Sequence, residues 1–238
     1  MKAVGIVGYK DSGKTTLTAA LATTLEARGH RVAIAKFTHH GLDKAGTDTG
    51  IFSGPGRTVV GIGPEEAALF WGEKKYLTDL LPLVRPADFL LVEGGKELTW
   101  LPRVLCLKSA SEADSLDHGL ALATYGSVAA PYLKSFREET LDKLAAMLEE
   151  RAFMLPGLDC GTCGGADCAD LARRIVQGEA SMADCQSVDN GGGFSVTVNG
   201  SPIALNPFVE RFVRSGVTAM LSELKGYAPG DVVISFKS

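Results

Sequence analysis

A glycine-rich segment near the amino terminus has the residue types that bind phosphate. Residues 8–15 are Gly-Tyr-Lys-Asp-Ser-Gly-Lys-Thr and match the pattern G-x-x-x-x-G-K-[ST], in which backbone N–H groups surround phosphate oxygens. An apolar segment precedes the loop and a helical pattern follows it, so the helix dipole also favours an anion here. The segment therefore predicts a P-loop that binds a nucleoside triphosphate together with Mg²⁺.

Individual side chains of this loop have separate predicted roles. Lys14 is expected to contact the β- and γ-phosphates and to act in catalysis, and the Thr15 hydroxyl is expected to bind Mg²⁺. For Lys10 and Asp11 the alternative is that both are solvated loop charges. The predicted nucleotide-binding residues are Gly8, Lys10, Asp11, Ser12, Gly13, Lys14, Thr15 and Thr16.

Two acidic residues are candidates for the magnesium side of this site. Glu93 ends the apolar segment Phe-Leu-Leu-Val-Glu and is followed by two glycines. The carboxyl ends of parallel strands form the ligand-binding edge of a sheet, so we predict that Glu93 acts in catalysis and holds Mg²⁺ directly or through water. The alternative for Glu93 is a surface carboxylate at a strand end. Asp48, within Gly-Thr-Asp-Thr-Gly, is predicted as a second magnesium contact.

Four of the five cysteines form a second candidate site. Cys160, Cys163, Cys168 and Cys185 have the spacing C-x2-C-x4-C-x16-C, and four thiolates suit an iron–sulfur cluster or zinc. Three ligands in one loop and a fourth after a helix favour one cluster, whereas zinc sites commonly pair two separated C-x2-C turns. We predict an iron–sulfur site, with structural Zn²⁺ as the alternative, and we place Cys106 in the core.

The elements that position these residues predict an α/β fold. Strands at 3–7, 32–37, 58–62, 89–93, 103–107 and 120–124 alternate with helices at 14–28, 64–83 and 137–151. Strands that are apolar on both faces indicate a mostly parallel sheet flanked by helices, as in P-loop NTPases. We predict a nucleotide-binding domain over 1–152, a Cys-rich iron–sulfur domain over 153–190, and a tail over 191–238.

The tail is predicted to be a small β-hairpin–helix–strand unit. Asn199-Gly200 is a strong hairpin signal between two short apolar segments, because this dipeptide suits the turns that match strand twist. A helix over 207–224 and a strand over 231–236 are expected to follow.

Composition and charge narrow the possible functions. The formal net charge of −4 argues against non-specific nucleic-acid binding, which requires a basic surface. No apolar segment approaches the roughly 20 residues that cross a bilayer, and the first residues lack the features of a signal peptide. We therefore expect a cytoplasmic protein with reduced thiols, no nucleic-acid partner and no membrane partner.

Three segments together resemble the molybdopterin-guanine dinucleotide biosynthesis protein B family. They are GYKDSGKTTL, KFTHHGLDKAGTDTG and LLVEGGKE, and the resemblance covers about residues 1–150. It implies a GTP-binding accessory protein with weak GTPase activity that assists addition of GMP to the molybdenum pterin. The implied partners are the pathway nucleotidyltransferase, molybdoenzymes and a second copy of the chain. The family usually has histidine after the lysine of its histidine loop, whereas Phe37 follows Lys36 here.

Base identity depends on this resemblance alone. An Asn-Lys-x-Asp motif, which would recognise guanine, does not follow the late strands. The residues themselves therefore leave ATP open as an alternative to GTP.

A second resemblance covers residues 155–187. The segment LPGLDCGTCGGADCADLARRIVQGEASMADC is similar to the four-cysteine [4Fe-4S] domain of some electron-transport and corrinoid-linked proteins. This addition leaves three hypotheses open. They are a GTPase for molybdenum cofactor maturation with an iron–sulfur module, a nucleotide-regulated redox or electron-transfer protein, and a chaperone that delivers a metallocofactor.

Overall fold

The structure is a computed structural model that describes residues 1–42, 46–84, 86–188, 194–228 and 230–235. The residues outside these ranges include 43–45 of the segment KFTHHGLDKAGTDTG, 189–190 of the predicted iron–sulfur domain, and 191–193 and 236–238 of the predicted tail. Strands occupy the following ranges: β1 Lys2–Val7, β2 Val32–Lys36, β3 Thr58–Ile62, β4 Ala67–Trp71, β5 Phe89–Glu93, β6 Arg103–Cys106, β7 Ala121–Tyr125, β8 Ser135–Phe136, β9 Val196–Val198 and β10 Ser201–Ile203. The α-helices are α1 Lys14–Ala27, α2 Asp48–Phe52, α3 Leu77–Leu80, α4 Glu112–Leu116, α5 Leu141–Arg151, α6 Cys168–Gln177 and α7 Pro207–Ser222.

A parallel sheet with strand order β2-β5-β1-β6-β7-β8 forms the centre of the fold. The prediction of a mostly parallel sheet flanked by helices is confirmed. β1 and β5 are buried along nearly their whole length, as expected for strands covered on both faces. Because β5 lies beside β1, the loop after β1 and the acidic end of β5 meet at one edge of the sheet.

Helices α1 and α5 cover one face of the sheet. Val4 and Ile6 of β1 point to this face and pack in one cluster with Leu17, Leu21 and Leu144. These apolar side chains are fully buried, and each contributes about 1.5–3 kcal/mol by leaving water. This packing fixes α1, and therefore the end of the P-loop, against the sheet.

The Cys-rich segment covers part of the opposite face. Ala3 of β1 and Leu90 of β5 belong to the same buried cluster as Phe153, Leu155 and Leu171. Two of the cysteines, Cys168 and Cys185, are also part of this cluster. The Cys-rich segment therefore shares a hydrophobic core with the central strands.

The predicted helix over 64–83 is wrong. Residues 67–71 form β4, which pairs antiparallel with β3, and only Leu77–Leu80 is α-helical in this region. Cross-strand pairing, with Val59 opposite Phe70, outweighs the helix propensity of the Glu-Glu-Ala-Ala segment, since propensity is a weak preference that tertiary contacts override. Strand β3 consequently belongs to a separate two-stranded sheet.

The tail is partly as predicted. The hairpin forms as β9 and β10 around Asn199-Gly200, and α7 follows with Asn206 as its N-cap. The final strand is not formed over residues 231–235, the part of the predicted range that the structure describes. Within the described residues, no helix has both the length and the apolar character that crossing a bilayer requires.

An ion-pair cluster joins α5 to the end of α1. The Arg28 guanidinium donates to Glu149 through Nε at 2.9 Å and Nη2 at 2.6 Å, and His30 Nε2 lies 2.8 Å from Glu149 Oε1. Hydrogen bonds from Arg28, followed by that with His30, lower the pKa of Glu149 from 4.5 to about 2. The ionised carboxylate is therefore favoured in the folded state.

Replacing this carboxylate is expected to change the pH dependence of stability. We expect Glu149→Gln to lower the free energy of unfolding at pH 7 by at most about 1 kcal/mol, because the partners are partly exposed. A carboxyl group whose pKa is lowered by folding stabilises the folded state at pH values above its ordinary pKa. This contribution is lost as the pH falls toward the pKa of the group in the folded state. The difference in free energy of unfolding between wild type and variant should thus vanish as the pH falls from 4.5 to about 2.

Urea unfolding followed by circular dichroism at several pH values measures this difference. The matched control is Glu150→Gln, which removes an exposed carboxylate from the same helix turn. If the difference in free energy of unfolding between wild type and Glu149→Gln stays constant from pH 7 to pH 3, the lowered pKa of Glu149 is contradicted.

Candidate functional site

The P-loop occupies the turn between β1 and α1, and its backbone explains its glycines. A Cβ atom on Gly8 would lie 2.3 Å from the carbonyl oxygen of Cys106 and 2.4 Å from Ser12 Oγ, so only glycine fits. Asp11 and Gly13 have φ angles of 61° and 87°, in the left-handed region that turns the chain sharply. Gly13 is the N-cap of α1, and the helix therefore begins with its amino end at this loop.

Two polar groups of the loop are oriented in ways that bear on ligand binding. Lys14 Nζ donates to the carbonyl oxygen of Tyr9 at 2.6 Å, so the ammonium lies across the loop to which it belongs. Ser12 Oγ is buried and has no hydrogen-bond partner among the described residues. A buried hydroxyl without a partner is unusual, and an oxyanion at this loop would supply an acceptor.

Tyr9 is anchored by residues from outside the loop. Its hydroxyl lies 3.1 Å from Ser115 Oγ of α4. The Lys96 ammonium lies 4.6 Å from the centre of the Tyr9 ring, within the range of a cation–π contact. The loop is thereby tied to the segments that follow β5 and β6.

The Thr15 hydroxyl and Glu93 form the polar centre of the site. Thr15 Oγ1 donates to Glu93 Oε1 at 2.9 Å, and Glu93 is only 7% exposed. A hydroxyl that ligates a metal must direct its lone pairs to the metal and its proton to another acceptor. The Thr15–Glu93 hydrogen bond provides that arrangement, so these residues fit Mg²⁺, a hard cation that prefers oxygen ligands.

Lys36 completes this centre. Its ammonium lies 3.0 Å from the same Oε1 atom of Glu93, and 53% of its side chain is exposed. Lys36 ends β2 and stands opposite Glu93 in the register of β2 with β5. Nothing in the sequence points to Lys36 as a residue of this site, because the adjacency of β2 and β5 depends on strand order, which sequence spacing does not specify.

The other predicted residues of this site lie farther from its centre. Lys10, Asp11 and Thr16 are exposed on the loop and the first turn of α1. Asp48 is the first residue of α2, which is capped by Thr47. Among the described residues, the side chain of Glu93 makes its hydrogen bond and ion pair with Thr15 and Lys36 and not with Asp48. The magnesium role of Asp48 stays a prediction.

The four clustered cysteines line one pocket, together with Leu158, Leu171 and Ser187. Cys168 begins α6, whose N-cap is Asp167, and its backbone N–H donates to Asp159 Oδ1 at 3.0 Å. Cys185 follows a short 3₁₀ turn. Among the described residues, no three or more His, Cys, Asp or Glu side chains are grouped closely enough to hold one metal ion.

The surroundings of the pocket affect the thiols differently. Burial raises the pKa of Cys168 and of Cys185. Burial also opposes ionisation of Cys160, but hydrogen bonds with Ser187 and Thr162, at 3.4 and 3.0 Å, lower the pKa of this thiol overall. Cys106 lies in β6, where burial raises its pKa to about 12, and it belongs to the core, as predicted.

Residues 94–101 connect the two sites. Gly94 and Gly95 follow Glu93 directly with φ angles of 85° and 62°. At the other end, the Trp100 carbonyl oxygen accepts from Leu155 N at 3.1 Å. A Cβ atom on Gly157 would lie 3.2 Å from the Trp100 ring, so this indole packs closely against the backbone that leads into the cysteine pocket.

A buried arginine holds this connecting segment in place. Arg103 is 1% exposed and donates to the carbonyl oxygens of Lys96, Leu98 and Leu116 at 3.2, 3.0 and 2.8 Å. Burial lowers the pKa of the guanidinium, which nevertheless stays protonated in proteins. The path from Glu93 to the cysteine pocket is therefore held by defined hydrogen bonds.

Two relatives of the chain are named for molybdopterin-guanine dinucleotide biosynthesis. A protein of Methanocaldococcus jannaschii, described as "Putative molybdopterin-guanine dinucleotide biosynthesis adapter protein", is 29% identical over 233 residues, covering 95% of this chain and 93% of the relative. The "Molybdopterin-guanine dinucleotide biosynthesis adapter protein" of Haemophilus influenzae is 34% identical over 109 residues, or 43% of this chain and 61% of the relative.

Solved structures of similar chains align with part of the protein. A MobB protein homolog from Bacillus stearothermophilus has 28% identity and a TM-score of 0.47, covering 63% of this chain and 97% of its own. Bacillus subtilis MobB has 20% identity and a TM-score of 0.49, covering 61% and 97%.

Two family models match separate parts of the sequence. The model "Putative Fe-S cluster" matches residues 155–187, the segment that contains all four clustered cysteines. The model "Molybdopterin guanine dinucleotide synthesis protein B" matches residues 3–124, a range that contains the P-loop, Lys36 and Glu93. Because that match extends over just over half of the 238 residues, the chain belongs to the molybdopterin guanine dinucleotide synthesis protein B family.

Proposed function

We propose that the protein is a GTP-binding adapter with weak GTPase activity in molybdopterin-guanine dinucleotide biosynthesis. The observation that carries the nucleotide part is the hydrogen bond from Thr15 Oγ1 to Glu93 Oε1 at 2.9 Å, beside a loop with P-loop sequence and backbone. The pathway is supported by the family and by the names of the relatives. GTP is the nucleotide expected from the family, and ATP is the alternative.

The residues of the site have complementary parts in this proposal. Lys14 leaves the Tyr9 carbonyl to contact the β- and γ-phosphates, and the loop N–H groups and Ser12 Oγ bind phosphate oxygens. Thr15 and Glu93 hold Mg²⁺, which when bound neutralises charge that develops on the phosphates. Glu93 also accepts the hydrogen bond that Thr15 Oγ1 donates and so orients the hydroxyl.

The partners and location follow from the same proposal. The adapter would act with the pathway nucleotidyltransferase and with molybdoenzymes, as a homodimer in the cytoplasm. Residues 1–152 would bind the nucleotide, 153–190 would hold the metal centre, and 191–238 would support packing or the dimer.

Removing the Lys14 ammonium tests the nucleotide site. We expect Lys14→Ala to weaken binding of Mg²⁺·GTP by about 10- to 100-fold, because a hydrogen bond to a charged group contributes about 1.5–3 kcal/mol. Isothermal titration with GTP and with ATP measures this effect and compares the two bases. Lys143→Ala removes an exposed lysine of α5 and should bind as the wild type does. Unchanged affinity of Lys14→Ala for Mg²⁺·GTP would contradict the proposal that Lys14 contacts the phosphates.

The cysteine pocket fits a [4Fe-4S] cluster in its donor set. Four thiols line one pocket whose other walls include Leu158 and Leu171, and such clusters are held by four cysteine thiolates. Cys160, Cys163, Cys168 and Cys185 would hold the cluster, which supplies a one-electron redox centre when bound. The lowered pKa of Cys160 favours the thiolate form that a metal ligand must adopt. Zn²⁺ is the alternative.

The metal centre is tested on anaerobically purified protein. We expect a broad absorption band at about 400 nm and equal amounts of iron and sulfide. Cys163→Ser should lose most of this absorption, because the variant removes one of the four ligands. Cys106→Ser is the matched control, since Cys106 is buried in β6 and is not among the residues that line the pocket. A colourless wild-type protein with one zinc would contradict the cluster.

A second candidate function is a nucleotide-regulated redox protein. The observation that favours it is the close packing of the Trp100 ring on Gly157, where an added Cβ atom would lie 3.2 Å from the ring. This packing joins the segment after Glu93 to the backbone that leads into the cysteine pocket. The shared hydrophobic cluster of the central strands and the cysteines also supports this coupling. A chaperone that delivers a metallocofactor would use the same coupling to change conformation when the nucleotide binds.

Coupling of this kind should change the reduction potential of the cluster. We expect the potential to differ between nucleotide-free protein and protein with Mg²⁺·GTP, because a ligand at Glu93 would act on residues 94–101, which follow it directly and end at Trp100. Redox titration followed by visible absorption measures this shift. Lys14→Ala should show no shift at the same nucleotide concentration. Equal potentials in the two states of the wild type would count against regulation of the cluster by nucleotide.

A further inference from the structure

Glu93 carries a negative charge that the fold has largely removed from water. The carboxylate is 7% exposed, and isolation of an ionised group from solvent is costly unless a partner compensates it. Thr15 supplies a neutral hydrogen bond, and Lys36 supplies a positive charge at 3.0 Å. Of the described cations, Lys36 is the one in ion-pair contact with Glu93.

Thr15 and Lys36 both contact the same oxygen atom, Oε1. A carboxylate oxygen has two lone pairs, so these contacts use both acceptor positions of Oε1. A divalent cation or its bound water that approached Oε1 would meet the ammonium of Lys36. Two cations at one carboxylate repel each other, and in a partly buried site this repulsion is poorly screened.

Lys36 can leave this position without disrupting the sheet. It is the last residue of β2, an edge strand of the main sheet, and 53% of its side chain is exposed. A lysine ammonium on a flexible four-carbon chain is readily hydrated. Moving it into solvent therefore requires rotation of one side chain only.

From these contacts we infer that Lys36 is a built-in counterion of Glu93, which Mg²⁺ must displace when nucleotide binds. The inference rests on the proposed nucleotide function and extends it to a residue that sets the Mg²⁺ requirement. Without nucleotide, Lys36 compensates the charge of Glu93. With nucleotide, Mg²⁺ would compensate Glu93 instead, and the Lys36 side chain would be released at the end of β2, three residues before His39 and His40.

The experiment measures the Mg²⁺ concentration that gives half-maximal binding of a fluorescent GTP analogue. We expect Lys36→Gln and Lys36→Ala to lower this concentration about fivefold, a modest coupling because Lys36 is half exposed. Lys36→Arg keeps the positive charge and should require as much Mg²⁺ as the wild type. Lys143→Gln, which removes a distant exposed lysine, should also behave as the wild type.

Each outcome of this titration is decisive. An unchanged or higher Mg²⁺ requirement in both neutral variants would overturn the inference while leaving nucleotide binding established. Absence of binding in the wild type at any Mg²⁺ concentration would overturn the proposed function and the inference with it. Thermal unfolding of every variant without nucleotide checks that a changed Mg²⁺ requirement reflects the site rather than loss of the fold.

Discussion

The carboxylate of Glu93 lies where two strands and a helix meet, and the arrangement of the site follows from its burial. Its charge is compensated by Lys36 of β2, and its Oε1 also accepts a hydrogen bond from the hydroxyl of Thr15 in the first turn of α1. These three residues come from separate segments, so the parallel register of β2, β5 and β1 is what brings them together. A shift of one residue in that register would turn Glu93 to the other face.

The same strands impose a second constraint, because a parallel sheet must be covered on both faces. Helices α1 and α5 cover one face. On the other face the Cys-rich segment supplies Phe153, Leu155 and Leu171 to the core of β1 and β5. The cysteine pocket therefore lies against the opposite face of the strands whose carboxyl ends form the proposed nucleotide site.

The sequence was sufficient to predict the parts that depend on local pattern. The P-loop, the acidic end of β5 and the cysteine spacing are each contained in a short segment, and the main strands follow from apolar runs. The helix predicted over 64–83 was wrong because pairing of β4 with β3 is a non-local interaction. Lys36 and Trp100 were missed for a related reason: their roles come from neighbours that are distant in sequence, Glu93 and Gly157.

Residues 94–101 give the two sites a physical reason to influence each other. This segment starts at the carboxylate that would hold Mg²⁺ and ends at an indole packed on Gly157, and Arg103 fixes its middle through the carbonyl oxygens of Lys96 and Leu98. Gly94 and Gly95 have the backbone freedom to let the first part move. A displacement of Glu93 can then end at these glycines or extend along the segment to Trp100. Because the Arg103 guanidinium donates to the carbonyl oxygens of both Lys96 and Leu98, a displacement that extends past the glycines would act on these two residues together.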